Sequence, residues 1–194
     1  MIDFHKTTFI KSATTYLDKP EKDLVEVLFV GKSNVGKSSL INALVKNKNL
    51  AFTSSKPGFT KLLNYFEVDN TFYLVDAPGY GYTISGSRHL DNFGKMMESY
   101  FKNPRLAGVV FIVDSRHKLG ENDIDFYHFI KDNNIPFILV ASKVDKLNQS
   151  EKAAMKRNIA NVCLDEEFVA ISSLKGVGID SLKGKISQLV ANHK

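Results

Sequence analysis

The stretch Gly31-Lys32-Ser33-Asn34-Val35-Gly36-Lys37-Ser38 follows directly on the apolar run LVEVLFV and satisfies G-x-x-x-x-G-K-[ST] without a mismatch. No other feature restricts the fold so far, because the pattern works only as a turn between a buried strand and a helix. The two glycines let the backbone wrap closely around phosphate groups and aim N–H groups at their oxygens. The positive N-terminal end of the next helix points at the same charge. Lys37 is placed to bridge the β- and γ-phosphates, the Ser38 hydroxyl to ligate magnesium, and Ser39 belongs to the same cradle.

The remaining chain supplies what such a loop needs. Leu24–Val30, Leu62–Val68, Thr71–Val75, Val109–Val113, Phe137–Ala141 and Phe168–Ile171 are short runs rich in Val, Ile and Phe. Asp69-Asn70 between the second and third predicts a tight antiparallel hairpin. Helix-length segments fall between them at Lys37–Lys46, Ser87–Phe101, Asn122–Asp132, Gln149–Cys163 and Asp180–Asn192. This alternation predicts a three-layer α/β/α sandwich, a P-loop nucleotide-binding domain with a mostly parallel sheet and one antiparallel strand. In such folds ligands sit at the carboxyl ends of the strands. One domain is expected over 1–194, with a short N-terminal extension over about 1–22.

Two further motifs fall at strand ends. Asp76-Ala77-Pro78-Gly79 follows FYLV, giving D-x-x-G: an aspartate able to hold magnesium through water, and a glycine whose N–H can approach a γ-phosphate. Ser142-Lys143-Val144-Asp145 follows PFILVA. A carboxylate at Asp145 accepts two hydrogen bonds from guanine N1–H and the 2-amino group, a donor pair that adenine lacks, so GTP is favoured over ATP. The Lys143 stem would cover the base face, and Ile171-Ser172-Ser173 would offer backbone N–H groups to guanine O6.

Composition narrows the setting. Lys+Arg number 26 against 21 Asp+Glu, a formal charge of +5, compatible with an RNA partner and equally with a lysine-rich solvated surface. Cys163 is the only cysteine, which fits a reducing cytoplasm and a small buried hydrophobe rather than a nucleophile. The first twenty residues lack a signal-peptide core, and no apolar run approaches the roughly 20 residues needed to cross a bilayer. No membrane role is expected. His89, His117 and His128 have no metal-ligand spacing.

The chain resembles the EngB family of ribosome-biogenesis GTPases. The residues that carry the resemblance are Phe9–Ala13 (FIKSA), Gly31–Asn42, Pro57–Thr60 (PGFT), Asp76–Tyr82 (DAPGYGY) and Val113–His117 (VDSRH). The resemblance implies a monomeric, magnesium-dependent GTP/GDP switch acting on the precursor of the large ribosomal subunit and its rRNA rather than on DNA, and through that role in cell division. It makes Asn47–Thr60 the first switch, with Pro57, Gly58 and Phe59 near the nucleotide and Thr60 as magnesium ligand and γ-phosphate sensor. Gly79–Arg88 becomes much of the second switch. Ser142 stands where the family usually has threonine, keeping the hydroxyl and losing the methyl.

Tyr80 occupies the position at which many small GTPases carry a water-orienting glutamine, and neither the phosphate loop nor the first switch offers an arginine. Slow intrinsic hydrolysis is therefore expected. Asn34 has two readings: a potassium ligand, as asparagine here is in related GTPases, or a residue that stabilises the loop turn. Phe52, Phe59, Tyr80 and Tyr82 beside Lys56, Lys61 and Arg88 have two as well, an RNA-stacking surface or aromatics that pin the switches to the core. Arg116-His117-Lys118 is either a partner contact or a solvated loop. The alternative function is a GTP-dependent binding module for another RNA or protein, with hydrolysis incidental.

Overall fold

The computed structural model describes residues 2–51, 62–80, 94, 96–98, 100–164 and 166–193. Seven strands, β1 (Thr7–Ala13), β2 (Val25–Gly31), β3 (Leu63–Val68), β4 (Phe72–Asp76), β5 (Leu106–Asp114), β6 (Phe137–Ser142) and β7 (Phe168–Ala170), form one sheet in the order β1-β3-β4-β2-β5-β6-β7. β3 pairs antiparallel with both β1 and β4, whereas β4, β2, β5, β6 and β7 run parallel. One strand thus opposes the rest, as expected. The hairpin turn is Asp69-Asn70, with both residues at positive φ (46° and 53°), which suits the right-handed twist of the flanking strands.

Among the described residues, four helices are continuous: α1 (Lys37–Val45), α2 (Glu121–Asp132), α3 (Gln149–Val162) and α4 (Ile179–Asn192). Residues 94, 96–98 and 100 are also helical, within the expected Ser87–Phe101 segment. Both faces of the sheet are covered, which is why its central strands read as unbroken apolar runs. Along β2, Val27 and Phe29 face a core with Leu40, Ile41 and Leu44 of α1 and Leu182, Ile186 and Val190 of α4. Leu28 and Val30 face the opposite core, with Phe126 and Ile130 of α2, Met155 and Ile159 of α3, and Met97 and Tyr100.

Sequence reasoning left Thr7–Ala13 in an N-terminal extension without assigning it a strand. It is the sheet's edge strand, with a register shift between Phe9 and Lys11 that leaves Phe9 and Ile10 exposed. Its mixed polar and charged residues hide the period-two signal, and the bulge interrupts it further. Cys163 is fully buried at the end of α3, and burial pushes its thiol up to about 11. No helix among the described residues is long and apolar enough to cross a membrane.

Candidate nucleotide site

The sequence motifs meet at the carboxyl ends of the parallel strands. The phosphate loop leaves β2 at Gly31 and enters α1 at Lys37, and Gly36 between them has φ 103°, a left-handed conformation that glycine adopts without strain. Asp76 ends β4, and Ser142 ends β6. Because β4, β2, β5, β6 and β7 are consecutive in the sheet, the loops after them are neighbours.

Lys37 and Asp76 form a buried ion pair through Nζ and Oδ1, with side chains 8% and 4% exposed. Ser38 and Ser39 follow in the first turn of α1, the first half-buried and the second exposed. The loop after β4 is laced to the phosphate loop: Ala77 N–H donates to Phe29 O (3.1 Å) and Ser33 N–H donates to Tyr80 O (3.0 Å). A Cβ on Gly79 would lie 2.9 Å from both Cα and N of Ser33, so the approach of these two loops requires glycine there. Pro78 lies between these contacts and is buried.

For Tyr80 the structure decides between the two readings, an exposed aromatic surface or an aromatic pinned to the core, in favour of the core. Its ring is 6% exposed and stacks on Phe126 at 5.9 Å, and its hydroxyl donates to Asp123 Oδ1 (2.6 Å). Burial, then the charge and hydrogen bond of Asp123, push the phenol far above its usual value. The other carboxylate oxygen of Asp123 accepts the Gly120 N–H (3.0 Å) at the start of α2.

Ser142 acts between loops. Its hydroxyl lies 2.7 Å from Val35 O and 3.1 Å from Val113 O, both acceptors, so it ties the end of β6 to the phosphate loop. A hydroxyl suffices for that, and the methyl of threonine takes no part in these bonds. Lys143, at φ 62°, donates from Nζ to Asn34 O (2.7 Å) and to Asp114 Oδ2 (2.9 Å). Its stem passes 3.6 Å from where a Cβ on Gly36 would sit. Asn34 has φ 63°, and its side chain is exposed.

The third loop joins at Asp145. Val144 N–H donates to Ile171 O (3.1 Å), and Ser172 Oγ donates to Asp145 Oδ1 (2.6 Å). That hydrogen bond is the leading reason the Asp145 carboxyl lies below its usual range. A correction follows for the base-facing amides: Ile171 N–H donates to Ala141 O (2.8 Å) and Ser172 N–H to Val177 O (3.0 Å). Both donors are engaged within the protein, so of the three residues Ser173 is the candidate for O6.

Pro57, Gly58, Phe59 and Thr60 lie outside the described residues, as do Phe52, Lys56, Lys61, Tyr82, Arg88 and His89. Sequence reasoning missed Asp114 and Asp123. Asp114 ends β5, follows an apolar run as Asp76 does, and carries Arg116 as well as Lys143: Arg116 Nε donates to Oδ1 (2.9 Å) and Nη2 to Oδ2 (2.7 Å). Burial opposes its charge, but hydrogen bonds from Arg116 and Lys143 outweigh burial and hold the carboxyl well below the usual range.

A glycine-rich loop closing on a lysine, a D-x-x-G segment packed against it and an aspartate two loops away are the parts of a P-loop GTPase. Comparison with known proteins agrees. Residues 26–143 match the family model described as 50S ribosome-binding GTPase. A probable GTP-binding protein EngB of Streptococcus pyogenes serotype M5 (strain Manfredo) is 40% identical over 184 residues, covering 93% of this chain and 92% of that protein. A crystal structure of a probable GTP-binding protein EngB superposes with a TM-score of 0.69 at 25% identity, covering 86% of this chain and 99% of that one. Era in complex with MgGDPNP and nucleotides 1506-1542 of 16S ribosomal RNA gives a TM-score of 0.65 at 27% identity, over 86% of this chain and 56% of that one. The chain belongs to the EngB family of GTP-binding proteins.

Proposed function

We propose that this GTPase is a magnesium-dependent nucleotide switch with slow intrinsic hydrolysis, a single cytoplasmic G domain that assists assembly of the large ribosomal subunit by binding its rRNA. The observation that carries the nucleotide reading is the meeting of four motif-bearing loops at the carboxyl end of the sheet, with Lys37 and Asp76 already in contact. The ribosomal part is supported by the description of the matching family model and by the RNA held in the Era complex.

The residues present suit magnesium. Ser38 offers a hydroxyl to ligate the ion and Asp76 a carboxylate to hold it through water, hard oxygen donors of the kind this ion takes alongside substrate phosphates. Thr60 is the third proposed ligand. When bound, the ion neutralises charge developing on the transferred phosphoryl group.

The chain's own residues do the rest. Lys37 exchanges the Asp76 carboxylate for the β- and γ-phosphates, so the buried cation keeps an anionic partner throughout. Backbone N–H groups of the phosphate loop donate to phosphate oxygens, those of Ser33 and Val35 excepted because they donate to Tyr80 O and Lys32 O, and Asp145 reads the guanine edge with Ser172 fixing one of its oxygens. Gly79 N–H and Thr60 sense the γ-phosphate, and their loops relax when it leaves. Tyr80 has its hydroxyl committed to Asp123, so it does not orient the attacking water. No residue in this set replaces the glutamine, which supports the slow rate.

Asn34 exposes its side chain at the phosphate loop, which leaves it open to a potassium ion, while its left-handed backbone fits a residue that stabilises the loop turn equally well. Turnover in KCl above that in NaCl at equal ionic strength, lost in Asn34→Ala, is the expected result. Equal rates remove the potassium role. The wider function is tested by depletion followed by sucrose-gradient profiling. Accumulation of large-subunit precursors, with the protein comigrating only when GTP is bound, is expected. An unchanged ribosome profile removes the assembly role.

A further inference from the structure

We infer that Asp114 and Arg116 are positioning residues for guanine-nucleotide binding: together they hold Lys143 against the phosphate loop. The inference rests on the GTP-binding reading and adds to it a pair of residues that touch neither base nor phosphate.

The argument begins with Lys143. Its ammonium is anchored twice, on the backbone carbonyl of Asn34 in the phosphate loop and on Asp114 Oδ2. The first contact fixes the loop that holds the phosphates, and the residue two positions on, Asp145, is the base reader. Lys143 is therefore the side chain that couples the phosphate half of the site to the guanine half. A carbonyl alone is a weak anchor for a flexible ammonium, whereas a carboxylate makes a shorter and stronger charge-assisted bond.

Asp114 is itself fixed in place. Arg116 grips it in a fork through Nε and Nη2, and Arg116 N–H donates to Oδ1 at 3.1 Å. The side chain of Asp114 is 16% exposed and that of Arg116 is 41% exposed. The carboxylate thus faces two cations, one reaching into the nucleotide site and one standing at the surface. The local sequence Val113-Asp114-Ser115-Arg116 supplies both the carboxylate and its clamp within three residues of the end of β5. No other part of the proposed mechanism uses this segment.

Two grades of effect follow. Removing the Asp114 charge frees Lys143 directly. Removing Arg116 leaves Asp114 in place but loosens its orientation, and because Arg116 is solvent-exposed its loss is partly screened. The dissociation constant for a fluorescent GDP analogue is measured for wild type, Asp114→Asn, Arg116→Ala, Lys143→Met and the double variant Asp114→Asn/Lys143→Met. Asp114→Asn is expected to weaken binding by about tenfold, the effect of one charge-assisted hydrogen bond, and Arg116→Ala by about threefold. In the Lys143→Met background Asp114→Asn is expected to change affinity by less than about twofold, since its route of action is gone. An equal effect of Asp114→Asn with and without Lys143 overturns the inference, as does no effect in the wild-type background. A wild-type protein that fails to bind the GDP analogue overturns the GTP-binding reading itself, and the inference with it.

Discussion

At the carboxyl end of the sheet Lys37 meets Asp76, and at the amino end Arg105 meets Glu26. Both are buried ion pairs, but their surroundings differ. Glu26 is fully buried, accepts from the Tyr100 hydroxyl and from Asn103 Nδ2 (2.9 Å), and its backbone N–H donates to Arg105 O (2.7 Å). Arg105 also donates from Nη1 to Lys22 O (2.9 Å). That network ties the start of β2 to the start of β5 and to the helical residues ending at Tyr100. Lys37 and Asp76 have no other side-chain hydrogen bond among the described residues. A charge pair ringed by the protein's own donors is a fixture of the fold. A pair left bare at the ligand end of the strands is one whose partners can change.

The largest expected effect tests the fixed pair. Arg105→Met strands a fully buried carboxylate, and breaking a buried pair in this way costs about 3–5 kcal/mol. Urea unfolding is expected to show that loss, while guanine-nucleotide affinity measured well below the transition stays unchanged. A parallel loss of affinity would mean that the two ends of the sheet do not act independently.

Lys37→Met probes the exchangeable pair. Removing one donor aimed at a developing charge typically costs about 10²–10³-fold in turnover. GTP turnover is expected to fall by that order in single-turnover assays. The stability of the nucleotide-free protein should fall by less than in Arg105→Met, because Lys37 gives up a single side-chain contact whereas Arg105 also gives up its bond to Lys22 O. Equal destabilisation by the two variants would erase the distinction drawn between the pairs.

Much of this contrast was legible at the ligand end and little at the other. The phosphate loop, Asp76 and Asp145 announce themselves because phosphate and guanine chemistry demand particular residues at fixed spacing after apolar runs. Glu26 carries only a faint signal, one carboxylate inside LVEVLFV, and its partners Tyr100, Asn103 and Arg105 lie more than seventy residues away in the chain. Nothing local joins them, since a buried network is defined by the tertiary fold. β1 escaped for a related reason: an edge strand buries one side only, and its bulge breaks the alternation. Tyr80 stays undecided between surface and core in the sequence, which shows an aromatic in a loop but not the stacking of Phe126 or the acceptor on α2. Asp114 was visible within VDSRH, yet its work needs Lys143, which arrives from the neighbouring strand.

Tyr80→Phe tests the border between site and core. The variant keeps the stacking on Phe126 and removes the hydroxyl from Asp123, leaving that buried oxygen without its donor, at a cost of about 1–3 kcal/mol. Thermal unfolding should register the change, while the single-turnover rate of GTP cleavage at saturating nucleotide holds. A collapse of that rate without loss of stability would return Tyr80 to the chemistry.

The smallest effect is a difference in sign. Burial is the main influence on Glu26 and raises its carboxyl above the usual 4.5, with Tyr100 and Arg105 only partly offsetting it. Between 4.5 and that raised value the folded protein holds a proton that the unfolded chain has released, so the Glu26 contribution to stability falls as pH rises through this window. Asp114 is the reverse. Its carboxyl is depressed, so the stability it contributes is present above the ordinary value of 3.8 and is lost as pH falls below it. Urea unfolding of wild type, Glu26→Gln and Asp114→Asn across the acid range separates the two. The stability of wild type relative to Glu26→Gln should decline with rising pH above 4.5, and that relative to Asp114→Asn should climb with rising pH below 3.8. Slopes of the same sign would mean that the hydrogen bonds of Tyr100 and Asn103, together with Arg105, outweigh the burial of Glu26, and that both ends of the sheet hold their carboxylates in the same way.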